Sequence, residues 1–303
     1  MPNQPLVSVP VITYNSSKTI VETLDSIYNQ TYPNIELIVS DDCSTDNTVE
    51  IGRQWTSNHR DRFCRIEIIE APVNTGISAN MNRAEDACQG QWVKGIAGDD
   101  LLLPECIETY MDFVKGQDDL PCIFSRVQCF DAYTGENINT LTPFDYSIFS
   151  KTREQQLSQL VYDINCIPAA SVFINIHLLR RLGIRNDERI PLLEDWPKWI
   201  NILNAGYHLD FIDKTLVKYR MHSGISTSEL SPSSYYSMQL FTLLYKYPEW
   251  VKRDPADAYR RLRFCMGDDK PPLGVRDSRN LKVGRLILKP IYFIKDFFRK
   301  KNT

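Results

Sequence analysis

The chain opens on a continuous apolar and β-branched run, residues 6–14 (LVSVPVITY), too short for a helix and apolar enough for a buried strand. Pro10 interrupts it. Proline has no N–H to give to a ladder, so a bulge or local distortion is expected there. The period then changes: Ile20, Leu24, Ile27 and Tyr28 recur at helical spacing, Ser16 and Ser17 stand where caps belong, and Pro33 ends the segment. The alternation repeats. IELIVS (35–40) is a strand running into the acidic turn DDCSTDNT, and TVEIGRQWTSN is a helix capped by Thr45 or Asp46. RIEIIEA (65–71) is a strand, residues 77–88 are helical after Asn74 and Gly76, and QWVKGIAG (91–98) is a fourth strand. Alternating strand and helix predicts a parallel sheet with helices on both faces, and such sheets bind ligands at the carboxyl ends of their strands. Both acidic turns of this half, DDCSTD and GDD, fall at strand carboxyl ends.

Further along, a helix at 104–115 carries Pro104 near its first turn, and 121–130 reads as a strand. Residues 131–165 are mostly polar, with one helix. SVFINIHLLRRLG holds a strand entering a helix that Gly183 stops, and Gly206 stops the helix EDWPKWINILNAG. HLDFIDKTLVKYRMH reads as two strands with a turn near Asp213. From Pro232 the composition shifts to aromatic helices (235–247 and 255–266), then a polar break, DDKPPLG, then a basic tail. The domain boundary is therefore placed near residue 230, giving 1–230 and a helical region 231–303.

Composition narrows the classes. In 303 residues, 43% hydrophobic and 24% charged, there is enough apolar surface for a sizeable core. No apolar run reaches the roughly 18 residues of a membrane span. The N-terminus lacks the basic and apolar regions of a signal peptide, so the chain is expected to stay in the cytoplasm. The net charge of −3 hides an asymmetry, because residues 281–303 carry +6 and the body −9. An acidic body argues against nucleic acid as a partner. In the tail, Val283, Leu286, Ile287, Ile291, Ile294, Phe297 and Phe298 recur at helical spacing among seven Lys and Arg. That pattern suits a helix lying on an anionic membrane surface, the plain alternative being a terminal helix packed on the protein. Eight scattered cysteines without C-x-x-C or zinc spacing read as buried, reduced thiols.

Four clusters carry candidate chemistry. Asp41-Asp42 follows the second strand; carboxylates there can accept a base N–H or ribose hydroxyls, or serve only as turn and cap. Asp99-Asp100 follows Gly98 at the end of the fourth strand, where adjacent carboxylates repel unless a cation neutralises them, and a hard divalent cation takes oxygen ligands. Glu194-Asp195 precedes a helix and could cap it. Lys218, Arg220 and His222 alternate at period two and would point one way, toward a diphosphate.

In order, a strand ending in Tyr14-Asn15, the acidic turn, Asn74-x-Gly76-x-Ser78-Ala79, Gly98-Asp99-Asp100, Glu194-Asp195-Trp196 and Tyr219-Arg220-x-His222 resemble the family 2 glycosyltransferases over residues 6 to about 228. The nearest flavour is bacterial O-antigen or capsule transferases with I-A-G-D-D-x-L-x-P. The resemblance implies an α/β GT-A fold, Rossmann-like, with a mostly parallel central sheet flanked by helices and a C-terminal helical extension. It implies an inverting hexosyl transfer from a UDP-sugar, with Mn2+ or Mg2+, to a saccharide acceptor linked to undecaprenyl diphosphate at the inner face of the cytoplasmic membrane. Carried over by position, Thr13 and Tyr14 line the uridine pocket, and Asp42 with Asp41 binds uracil. Asp99 beside Asp100 bears the metal, and Asp99 and Arg220 face the nucleotide. Asp195, with Glu194 next to it, is the general base, and His222 contacts metal or diphosphate. The chain departs where Ala97 replaces the usual first acid of the motif, where Asn80-Met81-Asn82 replaces A-R-N, and in the early position of Pro10. A nucleotidyltransferase is the enzymatic alternative, although TYNSSKT (13–19) lacks a glycine-rich phosphate loop. A nucleotide-sugar-binding module without catalysis is the other.

Overall fold

The computed structural model describes residues 4–138, 144–163, 165–190, 192–221 and 232–265. The basic tail, and His222 with it, lie outside the described residues. In the first half the strands are β1 (Val7–Thr13), β2 (Ile35–Asp41) and β3 (Arg65–Glu70), separated by helices α1 (Ile20–Tyr28) and α2 (Thr48–Asn58) and followed by α3 (Ile77–Ala87). β1 pairs in parallel with β2, and β2 with β3, so the alternation yields the expected parallel sheet. Every residue of β2 is buried, as befits a strand covered on both faces.

The fourth strand is not continuous. It splits into β4 (Trp92–Val93) and β5 (Ile96–Ala97), both parallel to β1. Pro10 explains the split and sits in no bulge: it pairs in regular register with Ile38 on the β2 side. The carbonyls of Ser8 and Ile12 accept from Lys94 and Gly98 on the other side, and Pro10 shares their parity. Its missing N–H therefore faces the break between β4 and β5, where no ladder bond is needed.

Next come β6 (Leu101–Leu102), α4 (Cys106–Val114), β7 (Cys122–Asp131), α5 (Arg153–Tyr162), β8 (Phe173–Asn175), α6 (Ile176–Arg181), α7 (Asp195–Asn204) and β9 (Asp210–Met221). The sheet runs β3-β2-β1-β4-β8-β7-β9-β6, with β5 beside β1. β9 is one long strand and not a hairpin. The polar Asp213-Lys214 pair that suggested a turn is absorbed by register shifts against β7, where Asp213 forms an ion pair with Arg126.

Two further local expectations change. The residue preceding α1 is Thr19, which makes no side-chain cap bond, so Ser16 and Ser17 do not cap that helix. The residue preceding α2 is Asn47, again without a side-chain cap bond; Asp46, one position earlier, accepts the first helical N–H, from Thr48, at 3.0 Å and the Ser17 N–H at 3.2 Å. Burial raises its pKa, but these bonds outweigh burial and bring it down to about 2. Cys88, Cys106, Cys122, Cys129 and Cys166 are buried free thiols as expected, whereas Cys43 is half-buried and Cys64 exposed.

The sheet separates two apolar layers. One gathers Val7, Val9, Val11, Ile20 and Leu24 with Trp92 and Tyr110, whose rings stack on Phe173 at 5.2 and 4.9 Å. The other gathers Ile38, Val93, Phe124, Trp196 and Trp199. The C-terminal helices α8 (Pro232–Phe241), α9 (Tyr247–Arg253) and α10 (Pro255–Cys265), with a π-turn at Thr242–Lys246, add Phe241, Trp250 and Ala258 to this second layer. Phe241 lies 4.5 Å from the Trp196 ring, so this region covers the face of α7 that follows Glu194-Asp195.

Candidate active site

Register places Thr13 opposite Asp41 at the carboxyl ends of β1 and β2. Asp41 is 2% exposed. Its Oδ1 accepts the Thr13 hydroxyl at 2.8 Å and the Ser44 hydroxyl at 2.6 Å, and its Oδ2 accepts the Ser44 N–H at 2.7 Å. Asp42, 3% exposed, faces the other way, toward the start of α3. Its Oδ2 accepts the N–H groups of Thr75 at 2.9 Å and Gly76 at 2.7 Å, and its Oδ1 takes the Thr75 hydroxyl at 2.6 Å. Gly76 is left-handed (φ 86°), which turns its N–H toward the carboxylate. The two acids thus lock a turn together as well as offering remaining lone pairs.

Tyr14 stands beside this turn, 43% exposed. Asn15 adopts φ 53°; its N–H donates to the Ser44 hydroxyl at 2.8 Å and its Oδ1 accepts from Thr45 N at 2.8 Å. Arg83, which the sequence pattern did not single out, brings its guanidinium 3.4 Å from Asp42 Oδ1, and it also donates to Asn80 Oδ1 at 2.9 Å. It stands one half-turn beyond Met81, the position where the resemblance expects arginine.

The second acidic turn abuts the first. Gly98 N donates to Ile12 O at 2.9 Å, and a Cβ on Gly98 would meet Thr13 Cγ2 at 2.8 Å, so only glycine allows this approach. Asp100 is 3% exposed and points inward, its Oδ1 accepting the Arg220 N–H at 2.9 Å. Burial, then the Asp99 charge beside it, push its pKa well above the carboxylate range. Asp99 is half-buried at the rim.

Lys218 and Arg220 do point one way, both lying over the Phe130 ring at 4.7 and 4.6 Å. The Arg220 guanidinium, however, is engaged by protein: Nε donates to the Asp99 carbonyl at 2.6 Å and Nη2 pairs with Glu22 at 2.6 Å. Through these bonds it braces the Asp99-Asp100 turn. Among the described residues, no three His, Cys, Asp or Glu side chains gather into a ready-made metal cage. The turn still fits a hard divalent cation that keeps one or two carboxylate ligands and takes the rest from substrate phosphates, since Asp99 offers such oxygens beside a buried, repelling Asp100.

Glu194 and Asp195 are half-buried at the start of α7. Asp195 Oδ1 accepts the Trp196 N–H at 2.7 Å, and Oδ2 accepts the Asn165 amide at 2.6 Å. Burial raises the Asp195 pKa against these bonds and Lys198; burial and the Asp195 charge raise Glu194 to about 7. Asn165 was not legible in sequence, lying thirty residues away in an irregular segment. The stretch leading to the pair is tied to α3: Ser78 Oγ donates to Ile190 O at 2.7 Å and Asn82 Nδ2 to Asn186 O at 3.0 Å. One helix therefore touches Asp42 at its start and the approach to Asp195 along its length.

Residues 8–175 match Glycosyl transferase family 2 over more than half of the chain. The chain belongs to this family. EpsE of Bacillus subtilis, described as a glycosyltransferase, is 32% identical over 74% of this chain and 76% of its own length. WfaP of Escherichia coli, a UDP-Glc:alpha-D-GlcNAc-diphosphoundecaprenol beta-1,3-glucosyltransferase, is 28% identical over 72% of this chain and 78% of its own. The crystal structure of S. aureus TarS 1-349 in complex with UDP-GlcNAc superposes with a TM-score of 0.62 at 22% identity, covering 85% of this chain and 70% of that one. The family 2 chain is thus a glycosyltransferase with the GT-A fold, which sets aside the nucleotidyltransferase alternative. Enzymes of this family generally use a divalent metal.

Because Glu194 is harder to ionise folded than unfolded, its contribution to stability is present below the ordinary glutamate value of 4.5 and is lost as pH rises toward about 7. Glu194→Gln removes that loss. The variant's denaturant midpoint, measured relative to the wild type, is expected to rise between those pH values; a constant difference would show that the carboxyl titrates normally.

Proposed function

We propose that this family 2 enzyme is an inverting, metal-dependent hexosyltransferase that moves a sugar from a UDP-sugar to a saccharide acceptor carried on a lipid diphosphate, in bacterial surface polysaccharide synthesis. The observation that carries the reading is two interlocked acidic turns at the carboxyl ends of β2 and β5, linked through α3 to the segment that leads into a separate carboxyl pair whose pKa is raised. WfaP supports the donor and acceptor class, and the UDP-GlcNAc complex of TarS supports a UDP-sugar. Residues 1–230 would hold donor and catalysis, and 231–303 the helical extension.

In this mechanism Tyr14 offers an aromatic face beside the uridine, and a lone pair of Asp42 or Asp41 accepts the uracil N3–H. Asp195 takes the proton from an acceptor hydroxyl. The hydroxyl oxygen forms its bond to C1 of the donor sugar as the C1–O bond to UDP breaks on the opposite face, which inverts the anomeric centre. A raised pKa suits a general base working near neutral pH, and Asn165 fixes the carboxylate's orientation. Asp99 and its neighbour Asp100, with His222 two residues beyond Arg220 in sequence, would hold Mn2+ or Mg2+, which would supply Lewis-acid neutralisation of the diphosphate.

The deciding experiment incubates the purified chain with a panel of UDP-sugars and a synthetic lipid-diphosphate GlcNAc. Transfer should stop in EDTA and return with Mn2+ or Mg2+, whereas full activity in EDTA removes the metal role. Asp195→Asn should lower transfer by roughly 10²- to 10⁴-fold while UDP affinity holds, and near-normal turnover would rule out Asp195 as base.

Asp42→Ala should weaken UDP by about 1.5–3 kcal/mol, the scale of a lost charged hydrogen bond, and inorganic diphosphate far less. Equal weakening of both ligands would mean that freeing the Thr75 and Gly76 N–H groups has only unmade the turn.

The basic tail would bring the enzyme to an anionic leaflet where such an acceptor resides. Full-length protein should float with anionic liposomes at low salt and a form ending near residue 280 should not; equal flotation of both removes the tail from membrane binding.

A further inference from the structure

Two charged side chains meet inside the protein with no role yet assigned. Lys198 Nζ lies 2.8 Å from Glu85 Oε1, and each residue is 5% exposed. Removing two charges from water is costly, and a buried pair is weak evidence of stability by itself. Its position suggests what it does. Lys198 follows Asp195 by three residues, so both lie on one stripe of α7, a turn apart. Glu85 sits in the last turn of α3, the helix at whose start Gly76 and Thr75 hold Asp42. Asn186 adds a second tie, its Nδ2 3.3 Å from Glu85 Oε2, and Asn82 Nδ2 donates to Glu188 at 2.7 Å in the same layer.

We propose that the Lys198–Glu85 pair is the positioning device of the Asp195 base, pinning the first turn of α7 to α3 and holding a cation one turn behind the carboxylate. The proposal rests on Asp195 being the base.

The charged groups around the carboxyl pair are distributed unevenly. From the segment before α7, Asp187 is bound by Arg189 and Tyr245, and Glu188 lies 3.6 Å from Arg185. From α3, Arg83 is turned to Asp42, and Asp86 pairs with Arg185. Beyond α5, the Asp163 carbonyl accepts from Lys246, which itself lies 4.4 Å over the Trp196 ring. At the far end of α7, Arg153 donates to the Leu203 carbonyl. The charge of Lys198 acts on both Glu194 and Asp195, drawing them down against burial, while Glu85 reaches Lys198 from α3. The pair is thus directional in the fold: its positive member is carried on the helix of the base, one turn from Asp195, and its negative member on α3.

That direction separates positioning from mere packing. The exchange Glu85→Lys with Lys198→Glu keeps an ion pair between the helices and reverses the sign of the charge behind Asp195. Measured on the full chain, 13C titration of the Asp195 and Glu194 carboxyls should move upward, and the acid limb of the kcat/KM profile should move upward with it. KM for the UDP-sugar should hold. A folded exchange variant with an unmoved carboxyl titration overturns the proposal. If the exchange does not fold, Glu85→Leu with Lys198→Met replaces the pair by apolar groups of similar size and removes the cation; the same upward titration is expected, and its absence is equally fatal. A titration that moves while the rate profile stays put overturns the assignment of Asp195 as base and leaves the charge link established.

Discussion

Burying carboxylates is the constraint on which this molecule is built. Asp41, Asp42 and Asp100 are almost fully enclosed at one edge of the sheet, and an unpaired buried charge would cost several kcal/mol. Each therefore recruits donors from elsewhere in the chain. Asp41 takes the Ser44 turn and Thr13, Asp42 takes the start of α3, and Asp100 takes the backbone of Arg220 from the far strand β9. These donors come from segments up to 120 residues away, so satisfying the acids closes the fold around them. The loops between β1, β2 and β5 are held by the same bonds that shape the site.

The departures from the family pattern become intelligible on this frame. Ala97, where an acid is usual, pairs with Ile12 in the ladder, and Gly98 follows it in a place too tight for a side chain. The turn thus keeps its backbone path and concentrates its charge in Asp99 and Asp100. The arginine missing at position 81 has a counterpart in Arg83, whose guanidinium neutralises Asp42 from the next half-turn. In each case the chemical need is met by a neighbouring position on the same element.

Much of this was legible from periodicity. Strand-length apolar runs and helix-length amphipathic runs gave the order of elements in the first half, and the sheet rule located the acidic turns at strand ends. What failed did so for local reasons with tertiary causes. Pro10 predicted a bulge or a local distortion, and the distortion falls on the neighbouring strand, which breaks opposite it, while β1 itself stays regular. Asp213 resembled a turn residue because an extended strand that shifts register exposes the same polar pair. Asn165, Arg83 and Lys198 carried no signal, since an asparagine in a loop or a lysine on a helix becomes informative only when the fold sets it against a particular carboxylate. Arg220 was noticed for its charge, yet its direction depended on Glu22, which lies 198 residues earlier.

The seat of Gly98 against Thr13 also bears on how such an enzyme can change over generations. The turn at the end of β5 and the turn at the end of β2 touch through Thr13, which contacts the glycine on one side and bonds Asp41 on the other. A larger residue at 98 would push Thr13 and loosen Asp41 with it. The two turns consequently cannot drift independently: lineages that alter one should carry a matching change in the other, and new donor preferences should arise more readily from the rim, at Tyr14 and Asp99, than from this shared seam.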